Sequence, residues 1–187
     1  MKATIEHRKV TKLDLQGEAN FNQVNHAFSF VKKAIEIAAR AENKQKYHFI
    51  IYNASIRTWH IIRGLMRQGW SKYLVEILER VSTLLEELDD FDFNWRCRYL
   101  NALIKAMFDA EKKPEALKVL DKLLELIKKK GSCNFQETLF RSRIHFNKDT
   151  PAVIVNIKKE TETGDDPMAL RSLFVIQQIR SGLVPDA

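Results

Sequence analysis

The side chains that could do chemistry are scattered along this sequence. Five histidines, His7, His26, His48, His60 and His145, include no pair four residues apart, so no two would stack on one helix face to share a metal ion. Cys97 and Cys133 match no metal-ligand spacing, and each reads as a small apolar residue of a chain in a reducing compartment. The acidic run Glu86, Glu87, Asp89, Asp90 and Asp92 invites a calcium reading, with Asp90, Asp92 and Asn94 as alternate ligands of an EF-hand loop. The loop would then carry Trp95 where a glycine must turn the chain, and Asn101 where a bidentate glutamate must close the shell. The run fits the end of one helix and the capped start of the next. Asn53-Ala54-Ser55 has the form of a glycosylation sequon but falls within an apolar helical segment. Phosphate-loop, dinucleotide and zinc-protease patterns are absent. No catalytic residue, cofactor or metal ligand is expected, and the chain is not expected to be an enzyme.

Charge leaves one further possibility. The 187 residues carry 31 Lys and Arg against 24 Asp and Glu, a formal net charge of +7. Arg57, Arg63, Arg67 and Lys72, set among Trp59, Trp70 and Tyr73, could engage nucleic acid by charge and stacking. The preferred reading makes Trp59 a core residue and the arginines a solvated helix surface, because basic positions do not recur from one helical segment to the next. Nucleic acid is therefore not an expected partner. No apolar run approaches the length of a membrane helix, and the start MKATIEHRKV lacks the apolar stretch of a secretion signal. A soluble intracellular chain is expected, with no membrane partner.

The elements that would position these residues are helices. Gly and Pro number only 6 and 4, too few breakers for an all-β chain. Val24, Ala27, Phe28, Val31, Ala34, Ile35 and Ala38 follow helical spacing on one face, as do Leu74, Ile77, Leu78, Val81, Leu84, Leu85 and Leu88. Ala116, Leu120, Leu123, Leu124 and Ile127 make a third stripe. The helices between them are apolar on two faces. One carries Tyr47, Ile51, Ala54, Ile61, Ile62 and Leu65 on one side and Phe49, Tyr52, Ile56 and Trp59 on the other. The next carries Trp95, Tyr99, Ala102, Leu103 and Ala106, then Leu100, Ile104, Met107 and Phe108. Alternating two-faced and one-faced helices are what stacked hairpins require. Gly69 and Ser71, Asp92 or Asn94, and Pro114 supply stops and starts. The spacing predicts helices near 3–15, 21–41, 46–66, 72–88, 94–110, 114–130, 135–147, 150–162 and 167–181, the β-branched stretch Ala152–Ile157 included. The expected fold is all-α: stacked antiparallel helical hairpins, a tetratricopeptide-like α-solenoid spanning 1–187 as one domain or a segment of a longer array.

A tetratricopeptide template of about 34 residues, laid on the hairpin around Pro114, is half satisfied. Leu100, Leu103, Met107, Ala116 and Leu120 fit, while Ile104, Glu111 and Leu123 fall where small residues or glycine are usual.

Tyr52-Asn53-Ala54-Ser55 with Trp59 four residues on, Arg63, the turn Gly69-Trp70, a leucine-rich helix and then Asn94-Trp95-Arg96 form a distinctive series. It resembles the large tetratricopeptide-repeat cilia- and flagella-associated proteins of the axonemal central-pair apparatus, over roughly residues 20–130. Lys113-Pro114-Glu115-Ala116 looks like a later turn of the same family, whereas Gly64 and Gln68 replace its usual prolines. The resemblance implies a non-enzymatic scaffold in a central-pair projection, in cytoplasm, cytoskeleton and the axoneme of the cilium or flagellum, supporting motility. Its implied partners are other large axonemal proteins and tubulin, and Tyr52, Asn53, Ala54, Ser55, Trp59, Arg63 and Trp95 would be structural positions. The alternatives are a generic cytosolic tetratricopeptide-like adaptor and a basic helical nucleic-acid-binding protein.

Overall fold

The computed structural model describes residues 18–40, 47–88, 92–130, 136–147, 149–163, 167–180 and 182. The helix expected near 3–15 and Cys133 lie outside them. The described residues form α1 (Glu18–Ala38), α2 (His48–Ile62), a 3-10 turn (Ser71–Leu74), α3 (Val75–Glu87), α4 (Phe93–Asp109), α5 (Lys113–Lys130), α6 (Gln136–Phe146), α7 (Pro151–Thr163) and α8 (Pro167–Arg180), with no strand among them. The β-branched stretch 152–157 is helical within α7.

The helices pack in neighbouring pairs: α1 on α2, α3 on α4, α4 on α5 and α7 on α8, with α6 also against α8. Short connections make chain neighbours antiparallel. The first helices of successive hairpins then lie side by side. Tyr52 of α2 bonds Asp92 and Ser55 of α2 bonds Trp95, each 40 residues on. Asn101 of α4 bonds Ser142 of α6, 41 residues on. The second helices are joined at comparable offsets by surface ion pairs, Lys32 of α1 with Glu76 of α3, and Lys113 of α5 with Asp149 just before α7. The chain therefore repeats structurally about every 40 residues, longer than the roughly 34 of the tetratricopeptide template.

The apolar stripes form the core. Ala27, Phe28, Val31, Ile35 and Ala38 of α1 are buried, as are Ile77, Leu78, Val81, Leu84 and Leu85 of α3 and Ala116, Leu120, Leu123 and Ile127 of α5. Ala34 departs from its stripe and is exposed. α4 is covered on both sides as its pattern required: Cys97, Tyr99, Ala102, Leu103, Ile104, Ala106 and Met107 are all buried. In α2 the second face is only half covered, since Phe49 is 51% exposed while Tyr52, Ile56 and Trp59 are partly buried. Phe140, Ile144, Ile157 and Phe174 make a smaller cluster among α6, α7 and α8.

Two boundaries differ from the spacing. α2 stops at Ile62, short of 66, because turns closed by Leu65 N–H to Ile62 and Arg67 N–H to Leu65 replace the helical ladder beside Gly64. The helix expected from 72 begins as a 3-10 turn, and Ser71 does not cap it: its hydroxyl donates to Asp109 of α4 at 2.8 Å.

Candidate functional site

The seam between α2 and α4 is the most elaborate polar and aromatic arrangement among the described residues. It is built from Ser55. The Ser55 hydroxyl donates to the Tyr52 carbonyl at 2.6 Å, an i to i−3 bond, and accepts the Trp95 indole N–H at 2.8 Å. The Ser55 carbonyl accepts the Tyr99 hydroxyl at 2.5 Å. One small residue, fully buried, thus satisfies the polar ends of two large aromatic side chains from the next hairpin. A bulkier side chain would push α4 away, and alanine would leave the indole N–H without its acceptor.

Asp92 fixes the start of α4. Its Oδ1 accepts the Trp95 backbone N–H at 2.9 Å, the N-cap expected for this position, and its Oδ2 accepts the Tyr52 hydroxyl at 2.8 Å. The cap of one helix is therefore also an anchor on the helix before it. Trp59, Trp95 and Tyr99 close the seam with ring centroids 5.5 to 5.7 Å apart in tilted and edge-to-face geometry. Burial pushes the Tyr99 phenol well above its ordinary value and outweighs the opposing hydrogen bonds with Thr58 and the Trp59 backbone, so Tyr99 stays a neutral donor.

The solvent side of the seam is a shallow cleft of about 290 Å³ lined by Trp59, Arg63 and Met66 from the α2 side and Arg98, Asn101, Ala102 and Lys105 from α4. The Arg98 guanidinium lies over both indoles, 5.7 Å from Trp59 and 5.6 Å from Trp95.

A second junction lies at the far end of α4. Asp109 accepts the Gly69 backbone N–H at 2.7 Å, the Ser71 hydroxyl at 2.8 Å and the Lys72 backbone N–H at 2.9 Å. Burial acts to raise its pKa, but these three donors and the nearby Lys72 charge outweigh it and hold the carboxyl below the usual range.

Set against these features, the chain finds a distant relative. It is 29% identical over 96 residues to cilia- and flagella-associated protein 46 of Chlamydomonas reinhardtii, a stretch covering 51% of this chain and 3% of that protein. The chain is similar to a cilia- and flagella-associated protein. It spans a small fraction of that relative's length. No protein-family model matches it.

Of the sequence-derived positions, the structure brings Tyr52, Ser55, Trp59 and Trp95 into one seam and sets Arg63 on its rim. Ala54 is buried and its carbonyl accepts the Thr58 hydroxyl at 2.9 Å, while Asn53 is exposed. Of the basic and aromatic set weighed for nucleic acid, Trp59 and Arg63 line this cleft. Trp59 and Trp70 pack on the core, Arg67 bonds the Gly64 carbonyl, and Lys72 lies over Tyr73. Arg98, Lys105 and Asp109 were missed. The signal for Arg98 and Lys105 was their seven-residue spacing on α4, which has meaning only once α2 is laid alongside. Among the described residues no three His, Cys, Asp or Glu could hold a metal ion, and no helix is long and apolar enough to cross a membrane.

Proposed function

We propose that this chain is a non-enzymatic structural component of the cilium or flagellum, a helical scaffold of the axonemal central-pair apparatus that holds other large axonemal proteins and tubulin. The observation that carries this reading is the 29% identity over half the chain to a protein named for its association with cilia and flagella. The architecture supports it. Hairpins stacked at a regular offset expose long lateral surfaces suited to partner segments. The polar groups Ser55, Asp92, Tyr99 and Asp109 each join one hairpin to the next. These are roles in assembly.

The test is where the tagged endogenous protein resides in detergent-extracted cilia. Retention along the axoneme, lost in cells that lack the central pair, is the expected result. A diffuse cytosolic signal washed out by detergent would reject the ciliary reading and favour a general helical-repeat adaptor.

A further inference from the structure

We infer that the exposed face of α8 is the docking site for an amphipathic helix of another protein, one whose apolar strip is flanked by acidic residues. The inference rests on the reading of this chain as a binding scaffold and supplies the chemistry of one partner.

α8 is apolar on two sides. One side, with Phe174 buried and Leu173 half-buried, packs on α6 and α7. The other faces solvent. Helical spacing sets Val175, Met168, Ile179 and Ile176 in one strip, with Met168 83% and Ile179 60% exposed. Ser172 lies in the same strip and turns its hydroxyl back to the Met168 carbonyl at 2.9 Å, which keeps the strip apolar. From Met168 to Ile179 it runs three turns, about 16 Å.

The rest of the fold shows what covers such a face. α4 is likewise apolar on two sides, and α3 and α5 cover them. α2 lies between α1 and α3. A helix apolar on two faces needs cover on both, and in this array the cover is another helix laid alongside. A helix on the exposed strip would take the place on α8 that α5 takes on α4, with its ridges seated between Met168, Ile176 and Ile179.

Charge selects which helix. α8 contains no Asp or Glu. Arg171 lies along one edge of the strip and Arg180 along the other. Both are exposed, and among the described residues neither forms an ion pair. Acidic residues on both edges of a partner's apolar strip would meet them. The α8 of a second copy would instead set arginine against arginine and supply no carboxylate. A membrane surface fits less well, because the strip carries no aromatic residue and two cations fall short of the clusters that hold a helix to anionic lipid.

The experiment uses the full chain and fluorescence polarisation with a fluorescein-labelled, 20-residue model helix that has a leucine strip and glutamate on both edges. The pair Met168→Ser with Ile179→Ser is expected to weaken binding by about tenfold or more. Phe49→Ser removes a comparable exposed apolar group from α2 and is expected to change it less than about twofold. The pair Arg171→Glu with Arg180→Glu should weaken the glutamate-edged helix and tighten a lysine-edged one by about fivefold or more each. All four α8 positions are exposed, and unchanged far-ultraviolet circular dichroism checks that the variants fold. No binding, equal losses from Phe49→Ser and the α8 apolar pair, or no exchange of preference on charge reversal would overturn the proposal. So would a homodimer, seen by light scattering, that Met168→Ser with Ile179→Ser dissolves, or tighter capture of phosphatidylserine vesicles through the same residues. Helix affinity and ciliary location are measured separately, so this site can fail while the ciliary reading stands.

Discussion

Ser55 shows how one side chain can hold two hairpins together. Removing its hydroxyl strips the Trp95 indole of its acceptor in a place water reaches poorly, so Ser55→Ala is expected to cost about 1–3 kcal/mol, the range for a buried donor left unsatisfied. Tyr99→Phe removes a donor to a carbonyl that remains inside a helix and is expected to cost only about 1 kcal/mol. Urea denaturation followed by tryptophan emission checks both, and an unchanged midpoint for Ser55→Ala would mean that ring packing alone holds the seam. Tyr99 also sets an alkaline limit. Its folded pKa is raised above the ordinary 10.0, so its contribution is complete below that value and is lost as the pH rises above it, where only the unfolded phenol ionises. The stability difference between wild type and Tyr99→Phe should be flat at neutral pH and shrink above about pH 10. For Trp59→Ala, a fully buried aromatic would imply about 3–5 kcal/mol. Trp59 is half-buried, with one face under Arg98, and a loss of about 2–3 kcal/mol is expected in the same assay.

At the scale of elements, the junctions carry the testable energetics. Asp109 sits at the C-terminus of α4, where a negative charge opposes the helix dipole, yet its three donors hold it ionised. Its depressed pKa means that its stabilisation is complete above the ordinary aspartate value of 3.8 and is lost as the pH falls through the lower folded value. Asp109→Asn should therefore melt earlier than wild type at neutral pH, with the gap closing below about pH 4, and a gap independent of pH would show that the charge does not matter. The end of α4 offers a second test. Lys112 N–H bonds the Met107 carbonyl and Glu111 N–H bonds the Phe108 carbonyl, a Schellman stop with Glu111 at φ 60°. The tetratricopeptide template asks for glycine at this position, and the backbone adopts the left-handed conformation glycine would allow without strain. Glu111→Gly is expected to stabilise by about 0.5–1 kcal/mol in thermal melts, and a decrease would place the cost elsewhere in the turn. Helical periodicity placed most helix boundaries within a few residues, because the stripes of α1, α3 and α5 and the two-faced pattern of α4 dictate burial directly. It could not place the end of α2, where tertiary turns override a continuing apolar pattern, nor the role of Asp109, whose partners lie 37 to 40 residues away. The candidate site was half legible for the same reason. Tyr52, Ser55, Trp59 and Trp95 stood out as a series, while Arg98 and Lys105 looked like ordinary solvated positions until the repeat offset brought them opposite Trp59 and Arg63.

The whole molecule is coupled along a line. α4 touches the 3-10 turn, α3 and α5, and its residues Trp95, Tyr99 and Asn101 reach the hairpins on both sides. The large core runs from Ala27 to Phe146, whereas α7 and α8 rely on the small cluster of Phe140, Ile144, Ile157 and Phe174. α8 leaves Met168, Ile176 and Ile179 exposed, so less of its apolar surface contributes to burial. The link between the two regions is α6, where Phe146 stacks on Phe108 with centroids 4.0 Å apart and Ser142 bonds Asn101. In a one-dimensional array each unit is stabilised chiefly by its neighbours, so a region with few interface contacts opens at lower free energy. Native-state hydrogen exchange should therefore show α7 and α8 exchanging through openings cheaper than those that expose α4. Phe146→Ala, which removes the stack but leaves the α2–α4 seam intact, should widen this difference by increasing exchange in α6 to α8 with little change in α2. Uniform acceleration across all helices would instead mean that both clusters unfold as one cooperative unit and that the linear picture is wrong.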